Sequence, residues 1–149
     1  MSQHNVLSLP GAFPLHQDKR YISESEWVIW KLLCRPLSSL PENTAEELYH
    51  ITGSQISVQR CGELIRITNI ATLTGIGTWI ARLLAECDFD VNEVCDKPAE
   101  VLLESINKRL GYALCNQASI RAFEALQLQW RGEEEKAKQT AKQAEQKKP

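Results

Sequence analysis

Between Ser23 and Trp130 the apolar residues of this chain return at every third or fourth position, and no stretch of useful length alternates apolar with polar residues. A period near 3.6 places apolar side chains on one face of a helix, whereas a half-buried strand needs a period of two. The chain therefore reads as all-α. Start and stop signals divide the pattern into helices. Ser23 followed by Glu26 forms a capping box ahead of Trp27, Trp30 and Leu33, and Pro36 ends that helix. Asn43 or Thr44 opens a second helix with Glu46 and Glu47 in its first turn and Gly53 beyond its end. Ser54 or Ser57 opens a third, with Val58, Cys61, Leu64 and Ile65 on its buried side. Thr68 or Asn69 then caps a short separate helix before Leu73. Ile80, Leu83, Leu84 and Cys87 mark the next helix, and a turn at 88–90 leads to another short helical stretch. Pro98 and Gly111 bracket a further helix, and Ile120, Phe123, Leu126 and Trp130 form the stripe of the last packed one.

The distinctive motif is Gly75-Ile76-Gly77, set between two of these helices. Glycine permits positive φ and close approach of another backbone, so a helix, a Gly-x-Gly turn and a second helix make a helix-hairpin-helix unit, here over about 68–88. The free amides at the start of the second helix attract anions. In DNA-binding versions that anion is a backbone phosphate, which positions a protein without reading bases. Arg82 is the nearest base after the turn and Arg66 the nearest before it. Trp79, two residues after Gly77, either packs inward or faces whatever docks on the hairpin.

Charge argues against nucleic acid as the first choice of partner. The chain carries a formal net charge of −2. Residues 44–130 hold 11 acids against 7 bases, a balance of −4, while the stretch from Arg131 holds 6 bases and 4 acids. Phosphate binding draws most of its non-specific affinity from clustered cations, and none is evident. The five cysteines are odd in number, include no CxxC pair and fit reduced, buried thiols, so no metal site is expected. Asp88-Phe89-Asp90 reads as a solvated acidic turn. His4, His16 and His50 form no triad-like spacing, and neither a P-loop nor a GxGxxG occurs. No enzyme activity, cofactor or small-molecule substrate is expected. No apolar run approaches the roughly 20 residues of a membrane span and the first residues lack the pattern of a secretion signal, so the expected location is cytoplasmic, without membrane association.

The stretch from Thr52 to Leu102 resembles the small bacterial helix-hairpin-helix proteins catalogued as a domain of unknown function. Thr52-Gly53, Ala71 with Leu73, Gly75-Ile76-Gly77, Ala81, Leu83-Leu84, and Pro98 with Val101 and Leu102 carry the likeness, which covers roughly residues 44–110. The family's second turn usually carries glycine, and Cys87-Asp88 stands there instead. Asp tolerates left-handed geometry better than most residues. The resemblance implies a fold and a nucleic-acid ancestry, and no activity.

The expected architecture is thus an extended N-terminal arm over 1–20 and a compact helical domain over 21–130. That domain has a helix-hairpin-helix (SAM-like) core and an added N-terminal helix. A solvated, disordered tail over 131–149 would follow, since it has no large apolar residue to bury. The expected function is a non-catalytic module for protein–protein interaction or assembly. Its contact surface would be the hairpin (Gly75, Ile76, Gly77, Trp79, Arg82) or a face formed by Trp27 and Trp30. The alternative is weak nucleic-acid binding without sequence specificity, with a phosphate on Gly75-Ile76-Gly77 and Arg82 assisting.

Overall fold

The computed structural model describes residues 20–146. The expected arm, Arg20 apart, lies outside the described residues. Within them the chain is all-α: α1 (Glu24–Leu32), a 3-10 turn (Leu37–Glu42), α2 (Ala45–Ile51), α3 (Val58–Ala71), α4 (Thr78–Glu86), α5 (Val91–Asp96), α6 (Ala99–Leu110) and α7 (Gln117–Gln146).

Local chemistry explains most of these ends. Ser23 and Glu26 close a capping box at α1, as do Thr44 and Glu47 at α2 and Asp90 and Glu93 at α5. Ser57 accepts from the Arg60 amide at 3.1 Å and starts α3. Gly111 ends α6 in the left-handed conformation, φ +77°. After α4, Asp88 adopts φ +67°, so the turn survives where glycine is absent. Arg66 from α3 fastens that turn: its Nε and Nη2 donate to the Ala85 carbonyl at 3.2 and 3.1 Å, and Nη2 reaches Asp88 Oδ1 at 3.2 Å. A helix C-terminus has unpaired carbonyls, and a guanidinium fork satisfies one while opposing the dipole's negative end.

Helix α3 is the centre of the fold, packed against α2, the 3-10 turn and α4. Its buried residues Cys61, Leu64, Ile67 and Ile70 sit three apart along one stripe. This corrects the expected break at Thr68-Asn69, because α3 runs through it. The Thr68 hydroxyl turns back to donate to the Leu64 carbonyl at 2.8 Å instead of capping a new helix. Ile67 and Ile70 keep the stripe going on either side.

An ion pair ties helix α1 to α3. Trp30 is fully buried. Beside it, Arg60 grips Glu26 with both branches, Nε to Oε2 at 2.8 Å and Nη2 to Oε1 at 3.1 Å. The same guanidinium reaches Glu63 at 3.0 Å and the Tyr21 carbonyl at 3.4 Å.

Helix α7 returns along the body. Phe123 and Trp130 are buried, edge to face with ring centroids 5.6 Å apart. Gln127, buried between them, donates to the carbonyls of Val94 and Lys97 at 3.1 and 2.8 Å. Past Trp130 the sequence suggests a disordered tail, but α7 continues to Gln146 with the side chains of 133–146 exposed. Burial ends near Trp130 and the helix does not.

Candidate interaction groove beside the Gly-Ile-Gly turn

The turn between α3 and α4 is built by its two glycines. Gly75 has φ +82°, and Gly77 has φ +76° with ψ 156°, a region open essentially to glycine alone. Their surroundings differ. A Cβ on Gly75 would stand 3.0 Å from Leu126 Cδ2 of α7, while one on Gly77 would meet nothing within 4 Å. Ile76 between them is buried, 6% exposed, and belongs to the core. The turn therefore points its one large side chain inward, rests Gly75 on α7 and leaves Gly77 open.

Helix α7 also holds the turn by hydrogen bonds. Trp130 Nε1 donates to the Thr74 carbonyl at 2.8 Å, and the Thr74 hydroxyl donates to Glu133 Oε2 at 3.3 Å. Trp79, in the first turn of α4, is 53% exposed. It stands at the lip of a groove of about 410 Å³ walled chiefly by Ile76, Ile80, Leu114, Phe123 and Leu126. No charged residue lines this groove. Another hollow, beside Tyr21, Leu37 and Ala71, has about 170 Å³. Burial of apolar area is the main favourable term in association, and an exposed aromatic on an apolar groove is a common anchor for it.

The cations near the turn are committed elsewhere. Arg82 Nε bonds Glu86 Oε1 at 3.0 Å, one helical turn further from the glycines. Glu86 also takes Arg109 on its other oxygen at 3.0 Å. Arg66 is occupied at the far end of α4, as described above. The amides of Thr78 and Trp79 have no acceptor among the described residues, because Gly77 has no side chain to cap them.

The Trp27 and Trp30 face does not form. Trp30 is core, at 0% exposure, so only Trp27 remains near the surface. Trp27 is half-buried, with the Lys31 ammonium 4.5 Å above its ring. Three residues on a helix differ by about 60° of rotation, enough to send one ring inward and leave the other at the margin.

Chemistry elsewhere is sparse. Burial pushes the thiols of Cys61, Cys87, Cys95 and Cys115 above their ordinary value, which keeps them protonated and weakly nucleophilic. Only Cys34 is exposed, a departure from the expectation of buried thiols. Among the described residues no three His, Cys, Asp or Glu side chains gather as metal ligands, and no helix is long and apolar enough to cross a membrane. The Asp88 to Asp90 turn is explained by backbone: Asp88 takes the left-handed position and Asp90 caps α5, accepting from the Glu93 amide at 2.8 Å.

Sequence reading singled out Ile76 and Trp79 but missed the other walls of the groove. Leu114 lies in a loop without periodicity, and the apolar stripe that includes Leu126 marks it only as packed. No local signal places either against a turn some 40–50 residues away. No family model matches the chain, and neither a curated protein nor a solved structure matches it.

Proposed function

We infer that the chain is a non-catalytic helix-hairpin-helix module whose groove beside Trp79 receives an apolar element of a protein partner. The reading is carried by one observation: a large aromatic side chain, 53% exposed, overhangs an uncharged groove of about 410 Å³. Two glycines at positive φ between α3 and α4 support the hairpin assignment. The same turn is braced from behind by α7, so the groove presents a fixed shape and loses little entropy on binding.

The test replaces Trp79 with a photo-crosslinking amino acid in cells, and exposed Val101 with the same group as a control. A protein adduct specific to position 79, lost when Ala122→Glu places a charge in the groove wall, is the expected result. Equal adducts from both positions, or an adduct that survives Ala122→Glu, would overturn the reading. Trp79→Ala should itself keep the fold, with a stability change under about 1 kcal/mol, since half-exposed surface residues contribute little. A thermal melt checks this.

Weak nucleic-acid binding remains the second reading, supported by the unpaired amides at the start of α4 and the open side of Gly77. The orientation of Arg82 toward Glu86 weighs against it. Anisotropy of labelled DNA and RNA at low salt decides: binding that falls steeply with salt and disappears in Gly77→Glu would favour this reading over the first.

A further inference from the structure

On the far side of Cys115 the apolar groove has a neighbour of opposite character. Leu103 and Cys115 wall both hollows. The second, about 340 Å³, is lined by Glu100, Glu104 and Asn107 of α6 and by Asn116, Gln117 and Ile120 at the start of α7. Glu100, Glu104 and Asn107 are spaced i, i+4, i+7 and so share one face of α6. Both carboxylates are exposed, and neither belongs to an ion pair among the described residues. Lys108 and Arg121 lie nearby in sequence but do not line this hollow.

An uncharged apolar hollow sharing a wall with an acidic one selects among partners by charge. Nucleic acids and anionic lipid surfaces would meet carboxylates there. A segment with acidic residues would be repelled, and like-charge juxtaposition is a strong filter against wrong partners. The geometry points to a partner of definite chemistry: a basic-apolar protein segment. Its large aliphatic or aromatic side chain enters the groove beside Trp79, Phe123 and Leu126. A nearby lysine or arginine reaches Glu100 and Glu104 across Cys115. This rests on the groove being an interaction surface, and it adds the sign of the partner's charge.

The test uses two fluorescein-labelled synthetic peptides of equal length and leucine content, one with lysine and one with glutamate at its polar positions. Anisotropy is measured against the full chain and its variants. The leucine–lysine peptide should bind, and more tightly than the leucine–glutamate peptide. Glu100→Lys with Glu104→Lys should weaken it by roughly fivefold, the scale of two exposed ion pairs, and should bring the glutamate peptide up. Trp79→Ala and Ala122→Glu should each weaken it, after a thermal melt has shown each variant folded. If the double charge reversal changes nothing while Trp79→Ala and Ala122→Glu still act, the acidic hollow is refuted and the groove stands. If neither groove variant acts, both are refuted.

Discussion

Removing the Arg60 guanidinium should unlatch α1 from the body of the protein. Glu26 and Arg60 are well shielded, their side chains 12% and 21% exposed, and they meet in a two-pronged pair. Arg60→Met keeps most of the aliphatic stem and deletes the charge. It strands a largely desolvated carboxylate that retains Ser23 alone, whose amide donates at 2.9 Å. Hydrogen bonds to charged groups contribute about 1.5–3 kcal/mol each, and breaking a buried pair from one side costs about 3–5 kcal/mol. With Arg60 and Glu63 each about one-fifth exposed, partial hydration offsets part of that cost and the loss should be near 2–3 kcal/mol. In a domain of this size that lowers Tm by roughly 10 °C. The sign with pH follows from Glu26. Burial pushes its carboxyl up, but the hydrogen bonds and charge of Arg60, with the Ser23 amide and hydroxyl, outweigh burial and hold it below the ordinary value of 4.5. A depressed carboxylate contributes stability above the unfolded value, and that contribution is lost as pH falls through the folded one. The gap between wild type and Arg60→Met should therefore be full at pH 7 and shrink as pH falls below 4.5 through the lowered folded value. Urea unfolding of wild type, Arg60→Met, Glu26→Gln and the double variant gives the coupling directly. A coupling energy under about 0.5 kcal/mol at pH 7, or a gap that widens in acid, would refute the argument.

Three other outcomes follow from particular contacts. Gly77→Ala should destabilise by about 1–3 kcal/mol from backbone strain alone, because φ +76° with ψ 156° is open essentially to glycine; a cost under about 0.5 kcal/mol in chemical denaturation would contradict the strained turn. Gln127→Leu deprives the Val94 and Lys97 carbonyls of their shared donor and should cost about 1–3 kcal/mol, read in the same assay. Among the described residues, truncation after Glu135 removes only exposed ones and leaves the Thr74–Glu133 contact, so Tm should move by less than about 2 °C in calorimetry while far-UV helicity falls.

The parts of this structure that were legible from the sequence are those decided by neighbouring residues. Ser23 with Glu26 names its own helix start and Gly111 the end of α6, because each acts on backbone groups within a turn of itself; Pro36 overshoots its stop, since α1 ends at Leu32 and Cys34 turns the chain at φ +54°. Asp88, a residue type that tolerates the left-handed conformation it takes at φ +67°, belongs with the first two. Thr68 was misread because a threonine hydroxyl has two local options, capping forward or bonding back, and packing of Ile67 and Ile70 chooses. Trp27 and Trp30 carry the same periodic signal; which ring becomes core depends on the crossing of α1 over α3. The groove was half visible. Trp79 and the glycines announced an unusual turn, but its other wall comes from a helix whose return is set by tertiary packing.

The Trp130–Thr74 hydrogen bond links residues 56 apart in the chain, and the later partner belongs to the final helix. Synthesis proceeds from the N-terminus, at about 5–20 residues per second, with early segments folding first. A nascent chain that has just released Glu86 from the ribosome has α3 and α4 but neither Phe123, Leu126 nor Trp130 to oppose them. Its turn is unbraced and its groove has one side. The groove is thus a late product of translation, complete only in chains extended past Trp130, the residue whose indole braces the turn.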